Sequence, residues 1–455
     1  MPKLRCFKAY DVRGRIPDEL NDTLAYQIGQ AYSALVKPKK VAVGRDIRQS
    51  STELQAALIG GLTDSGVEVA DIGLCGTEGV YFATFAENFD GGIMVTASHN
   101  PPDYNGMKFV REQSRPISAD TGLLIMQRLI EEHELPPKAA NPAPVRALDT
   151  SRSYIKHLLG YVQVPKLKPL KVVVNAGNGG AGLIVDQLEP LLPFEFIKIN
   201  HAADGSFPNG VPNPMLEQNR GVTTEAIQRS GADLGLAWDG DYDRCFFFDE
   251  HGGFIEGYYL VGLLAETFLR RHRGARIVHD PRLTWNTIDI VQHCGGMPVL
   301  CKSGHAFIKQ KMREVDAVYG GEMSAHHYFR EFAYCDSGMI PWLLVLAVMS
   351  ESGKSLSELV GERQRLYPAS GEINREISPQ MGDTKAVLAR AQQHYQARAK
   401  TTDFTDGLSM EFDHWRFNLR GSNTEPLVRL NVESRGDAAL MQEKTAELLR
   451  LLDGP

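Results

Sequence analysis

Gly91-Gly-Ile-Met-Val-Thr-Ala-Ser-His-Asn-Pro101 is a short apolar run that ends abruptly in polar side chains and a proline. A run of this kind, bounded by turn chemistry, reads as a buried parallel strand. Two further runs share its form: Gly231-Ala-Asp-Leu-Gly-Leu-Ala-Trp-Asp-Gly-Asp241 and Val315-Asp-Ala-Val-Tyr-Gly-Gly-Glu-Met-Ser324. Each follows a simpler strand and a helical stretch. The simpler strands are Lys40-Val-Ala-Val-Gly-Arg-Asp46, Lys171-Val-Val-Val-Asn-Ala-Gly-Asn-Gly179 and Arg276-Ile-Val-His-Asp-Pro-Arg282. The intervals are unequal, so the pattern predicts three related α/β domains and not a solenoid. Each domain offers a loop at the carboxyl end of a strand, where open α/β sheets bind ligands.

Between the strands, residues 52–63 carry apolar side chains at helical spacing, with Ser50 or Ser51 as a cap and Gly66 as a stop. Residues 343–349 are apolar all round and predict a buried helix. Leu135-Pro-Pro-Lys-Ala-Ala-Asn-Pro-Ala-Pro144 reads as a linker or exposed loop. After a break near Tyr367-Pro-Ala-Ser-Gly371 the pattern changes. A helix is expected over 384–400, strands over 408–412 and 415–419, and a final helix, which together make a smaller α+β domain. The expected domains are 1–147, 148–250, 251–367 and 368–455.

The 455 residues are 43% hydrophobic, enough for several cores. With 49 basic and 56 acidic residues the net charge is −7, which excludes a general nucleic-acid footprint. The six cysteines are scattered with no C-x-x-C pair, as expected in a reducing compartment. The start lacks the apolar core of a signal peptide, and the apolar run from Met339 to Met349 contains Pro341 and is too short to span a bilayer. The expectation is a cytoplasmic protein with no membrane or nucleic-acid partner.

Four loops carry chemistry. In Thr96-Ala-Ser-His-Asn-Pro101 a serine sits at a strand end among polar neighbours, as a covalent carrier would; a capping turn explains the same residues. In Asp239-Gly-Asp-Tyr-Asp-Arg244 three carboxylates alternate, and like charges this close call for a hard cation. An EF-hand competes, with Glu250 at loop position twelve. Arg244 where that loop needs Gly, and a strand where it needs a helix, oppose it. A solvated acidic turn is the other reading. In Gly320-Gly-Glu-Met-Ser-Ala-His-His327, preceded by Lys302-Ser-Gly-His305, Glu322 and Ser324 can bond adjacent sugar hydroxyls. His305 can titrate near neutrality or be structural. His326 and His327 face opposite ways if extended, which argues against one shared metal. Arg420-Gly-Ser-Asn-Thr-Glu-Pro426, with Arg429 beyond, suits a phosphate dianion or a polar turn between strands. Arg13, in Tyr10-Asp-Val-Arg-Gly14, and Lys108, shortly after Ser98, are candidate auxiliaries.

Together, and in this order, the four motifs resemble the α-D-phosphohexomutase superfamily, in its bacterial phosphomannomutase/phosphoglucomutase branch. The resemblance spans nearly the whole chain. It implies a four-domain α/β architecture, three related α/β domains plus the smaller C-terminal α+β domain, around a central cleft. It implies phosphorylation of Ser98 and one Mg²⁺ held by Asp239, Asp241, Asp243 and a phosphoserine oxygen of Ser98. It implies a hexose phosphate substrate and a 1,6-bisphosphate intermediate that turns by about half a turn before returning a phosphate to Ser98. Tyr10, Arg13, His99, Lys108 and Arg244 fall in the catalytic centre, with Lys108 and His305 as candidate proton carriers. Glu322 and Ser324 read the sugar, with Arg282, Lys302 and Gly304 counted in the same substrate-binding group. Arg420, Ser422, Asn423, Thr424 and Arg429 hold the other phosphate. Gly421, where relatives carry a small side chain, is expected to loosen that loop, and Arg282 stands where some relatives have Lys. The Met of Gly-Glu-Met-Ser resembles mannose-accepting and dual-specificity members, which favours mannose 6-phosphate and mannose 1-phosphate and a supply to GDP-mannose synthesis. Glucose phosphates are the alternative pair; a phosphatase and a non-catalytic sensor are the rival classes. The expected state is a monomer or homodimer.

Overall fold

The computed structural model describes residues 4–377, 382–421 and 427–453. The chain forms two compact units: residues 1–254 with 326–355, and residues 255–325 with 356–455.

The first unit contains two mixed sheets. In one the strand order is Val12–Arg15, Tyr104–Arg111, Gly91–Val95, Lys40–Arg45, Glu68–Leu74 and Val145–Ala147. Lys40–Arg45 runs parallel to Gly91–Val95, with Val41 opposite Gly91, and all five residues of Gly91–Val95 are buried. Val12–Arg15 and Tyr104–Arg111 are antiparallel, with Arg13 opposite Gly106. In the other sheet Lys171–Asn175 lies between its parallel neighbours Glu195–Ile199 and Leu234–Trp238, and Cys245–Phe248 folds back antiparallel. The helix Ile340–Ser352 takes Pro341 in its first turn, where the missing N–H costs nothing, and Leu343–Leu346 are buried as its uniform hydrophobicity predicts.

In the second unit Arg276–His279 pairs parallel with Met297–Leu300 and with Tyr319–Gly321. All three expected strand couples are therefore parallel neighbours. The C-terminal part is antiparallel: Ile373–Glu376, Leu427–Ser434, Trp415–Gly421, Leu408–Glu411 and Thr401–Asp403 in that order. Its core gathers Tyr395, Phe412, Trp415 and Phe417.

Three local expectations change. The helix expected over 384–400 ends at Tyr395, because the chain turns so that Lys400 N–H reaches Glu411 O at 2.7 Å and the strand Thr401–Asp403 begins. Ser50 makes no side-chain cap, and Ser51 Oγ donates instead to Asp46 Oδ1 at 2.6 Å. Gly421 lies in a strand, opposite Val428, and a Cβ there would stand 2.7 Å from Thr384 Cγ2, so the glycine admits a close neighbour. Among the described residues no helix is long and apolar enough to cross a membrane.

Candidate active site

Two of the strand-end loops meet within the first unit. Ser98 follows Gly91–Val95 with φ 47°, in the left-handed region that side chains other than glycine seldom adopt. Tyr242 and Ala325 take the same kink in the corresponding loops, at φ 46° and 69°. Such strain costs about 1–3 kcal/mol and persists only where its surroundings over-determine it. Around Ser98 the determinant is Arg48. Its buried guanidinium donates to the carbonyls of Asn100 (2.6 Å), Pro101 (2.8 Å), Ser98 and Tyr104 (both 2.9 Å). Gly240 permits the acidic loop to close on this one, since a Cβ there would lie 2.5 Å from Ser98 O.

Ser98 Oγ donates to Asp239 Oδ2 at 2.9 Å and lies 3.0 Å from His99 Nδ1. Arg244 Nη2 reaches the same ring nitrogen at 2.6 Å, so Nδ1 accepts from the guanidinium. Arg244 Nε donates to Asp239 Oδ2 at 2.8 Å. Arg13 pairs with Asp11 at 2.9 Å and donates to Thr96 O at 2.7 Å, beside the serine loop. Tyr10 is half-buried in the turn before Val12–Arg15.

Asp239, Asp241 and Asp243 are buried, with ligand oxygens within 4.8 Å of one another. Burial pushes the Asp239 and Asp243 carboxyls up. Burial also opposes charge on Asp241, but Lys108 and Thr77 outweigh it and hold that carboxyl down. Lys108 Nζ donates to Asp241 Oδ2 at 2.7 Å and Asp243 Oδ2 at 2.5 Å. Burial disfavours its ammonium, yet the two aspartates raise it above its ordinary range. Thr77 Oγ1 donates to Asp241 Oδ2 at 2.5 Å from the first turn of the helix Thr77–Ala86. Asp241 Oδ1 and Asp243 Oδ1 are buried without a hydrogen-bond partner among the described residues. Orphaned carboxylate oxygens are costly, and hard oxygen donors converging in a dry site fit a divalent cation.

His326 approaches the acidic loop. Its Nε2 is 3.8 Å from Asp243 Oδ1, and Asp243, His326 and Asp336 also lie within ligand reach of each other. His327 is fully buried, and burial pushes its imidazole down to about 3.

The second unit gathers the sugar and phosphate candidates around Arg282. Its Nη2 donates to Asp280 Oδ2 (2.8 Å), Ser324 Oγ (3.2 Å) and Glu322 Oε1 (3.3 Å). Gly304 N–H donates to the same Glu322 oxygen at 2.8 Å, and Met323 N–H to Asp280 Oδ2 at 2.8 Å. His305 opens the helix His305–Val315, while Lys302 is exposed with Nζ 4.9 Å from the Phe307 ring centroid. Arg420 and Arg429 sit opposite one another on paired strands, and both donate to Glu372, at 2.9 and 3.3 Å. Ser422, Asn423 and Thr424 lie outside the described residues.

Arg48, Thr77, Asp280, His326 and Glu372 were not singled out as site residues from the sequence. Arg48 and Asp280 follow first strands whose ends were identified without roles for their side chains. Thr77 and Glu372 belong to no motif.

Four consecutive family models match the chain: phosphoglucomutase/phosphomannomutase α/β/α domain I over residues 4–135, domain II over 152–253, domain III over 256–367 and the C-terminal domain over 372–450. The chain belongs to the phosphoglucomutase/phosphomannomutase family. It is 59% identical over 452 residues to a Xanthomonas campestris protein named "Phosphohexose mutases", covering 99% of this chain and 100% of that one. It is 58% identical over 459 residues to the phosphomannomutase of Salmonella typhimurium, with both chains fully covered. A solved phosphoglucomutase/phosphomannomutase family protein from Burkholderia thailandensis superposes with TM-score 0.88 at 30% identity, over 100% of this chain and 99% of that one.

Proposed function

We propose that the protein is a phosphomannomutase, interconverting mannose 6-phosphate and mannose 1-phosphate through phosphorylated Ser98 and a hexose 1,6-bisphosphate intermediate. The observation that carries this reading is the hydrogen bond from Ser98 Oγ to Asp239, which joins the candidate carrier to the acidic triad. The name of the Salmonella relative favours mannose over glucose. The six free cysteines support a reducing, cytoplasmic setting.

In the forward step the substrate's free hydroxyl attacks the phosphorus on Ser98. The Ser98 O–P bond breaks, the new O–P bond forms and the hydroxyl proton passes to a base. Mg²⁺, held by Asp239, Asp241, Asp243 and a phosphoserine oxygen, would neutralise charge on the moving phosphoryl group. Arg244 and Arg13 add fixed positive charge, and Arg244 keeps His99 Nδ1 engaged as an acceptor beside the serine. Lys108, which holds a proton on Nζ between Asp241 and Asp243, and His305 are the candidate proton carriers. Glu322 and Ser324 orient sugar hydroxyls, and Arg282, whose guanidinium already bonds both, sets their positions. Lys302 and the Gly304 backbone complete this group. Arg420 and Arg429, with Ser422, Asn423 and Thr424, hold the phosphate that is not transferred.

The test combines mannose 1-phosphate, Mg²⁺ and a trace of mannose 1,6-bisphosphate, with glucose 1-phosphate in a parallel reaction. Formation of mannose 6-phosphate, faster than glucose 6-phosphate, is the expected result. Release of inorganic phosphate alone would establish a hydrolase, and no reaction with either sugar would leave a sensor.

A further inference from the structure

The arginines expected to meet the substrate's phosphate already enclose an anion. Glu372, just ahead of the strand Ile373–Glu376, has a side chain only 7% exposed. Its Oε2 accepts from Arg420 Nη2 at 2.9 Å and Arg282 Nη1 at 3.5 Å, and its Oε1 from Arg429 Nη1 at 3.3 Å. Burial alone would raise this carboxyl, but the three guanidinium groups hold it below its ordinary range. Arg282 is committed mainly to Asp280, which takes its backbone N–H, Nε and Nη2 at 2.8–3.1 Å. Arg420 and Arg429 are therefore the cations that Glu372 chiefly serves. The Arg420 side chain is 9% exposed, yet its Nε has no hydrogen-bond partner among the described residues. A carboxylate offers two oxygens to these guanidinium donors, whereas a phosphate group offers three.

We propose that Glu372 is the resident counter-ion of the phosphate site: its carboxylate occupies Arg420 and Arg429 until the substrate's phosphate exchanges with it. The proposal rests on the reading of Arg420 and Arg429 as the phosphate-holding pair. Buried guanidinium groups left without an anion are strongly unfavourable. A mutase that turns its bisphosphate must nevertheless let go of one phosphate in mid-cycle. Glu372 refills the arginines as the phosphate departs, so release never leaves the buried Arg420 and the half-buried Arg429 without an anion. The same competition weakens ground-state binding, because only the fraction of sites with Glu372 displaced is competent to bind. The exchange makes and breaks no covalent bond and moves no proton.

The probe is inorganic phosphate, titrated calorimetrically into the full-length enzyme, with thermal melting to verify the fold. Glu372→Gln keeps the shape and removes the charge. It is expected to bind phosphate about tenfold more tightly, and to lower both KM and kcat for mannose 1-phosphate, since release slows as binding tightens. Unchanged or weaker phosphate binding would overturn the proposal and leave Glu372 as an organiser of the arginines. Should this variant not fold, Glu372→Asp, which withdraws the carboxylate by one methylene, is expected to bind phosphate more tightly than wild type by a smaller factor; equal or weaker binding overturns the proposal in the same way. Arg420→Gln isolates the parent reading: it should lose phosphate binding. Retained binding there would remove the phosphate site itself, an outcome separate from the response of Glu372.

Discussion

The acidic site of the first unit and the basic site of the second solve one problem with opposite signs. Each buries like charges, and each holds an internal counter-ion: Lys108 between Asp241 and Asp243, Glu372 between Arg420 and Arg429. They differ in assembly. The three aspartates come from one pentapeptide, and one of them is fixed by Thr77. The arginines come from a loop and two strands, and all three pair with Glu372, far from the motif. Charge held by a contiguous backbone is rigid. Charge gathered from separate segments depends on the group that gathers it.

The largest test of the acidic side is Ser98→Ala. Turnover should vanish while stability changes by about 1 kcal/mol or less, since one loop hydroxyl is removed. Near-wild-type isomerisation would sink the phosphoserine mechanism. Arg48→Met asks whether the serine loop is as rigid as the acidic loop facing it. Four carbonyls lose their donor, and kcat should fall about 100-fold from misplacement of Ser98; an unchanged kcat with a lower melting temperature would reduce Arg48 to a purely structural part. Thr77→Val sharpens the contrast from the metal side. Losing the bond to Asp241 should weaken Mg²⁺ binding about tenfold in a calorimetric titration, with Thr77→Ser restoring it. Equal affinity in all three proteins would show that the pentapeptide positions Asp241 unaided.

The smallest effect concerns a titratable group that burial holds in its neutral form. His327 has its folded pKa pushed down to about 3 by burial, below its unfolded value of about 6.5. The unfolded chain therefore binds the extra proton first. The stability tied to the neutral ring is whole above about pH 6.5 and is lost as the pH falls from there towards 3. From this residue, denaturant titrations at pH 6 should lie about 0.8 kcal/mol below those at pH 7.5. His327→Gln should remove that increment, and an identical pH dependence in both proteins would contradict it.

Much of this was legible in advance wherever residues that act together are also adjacent in the chain. Three apolar runs ending in polar loops identified the parallel strands, because a strand buried on both faces leaves a continuous apolar signature. The loops they deliver contain Ser98, the aspartates, Glu322 and Ser324. Strands such as Ile373–Glu376, with exposed or half-buried residues, carry no such signature and were not foreseen. Nor was Arg48, whose four acceptors are backbone carbonyls some fifty residues away that no pattern of side chains encodes.

The sequence by itself determined which chemical groups the molecule owns and which strand ends present them, since hydrophobic periodicity and short polar motifs are local properties. Only the tertiary structure decided what neutralises those groups. Lys108 and Thr77 reach the triad, and Glu372 reaches the arginines, because folding brings distant segments into hydrogen-bond range, and the need to pair a buried charge is felt only once the chain has excluded water from it.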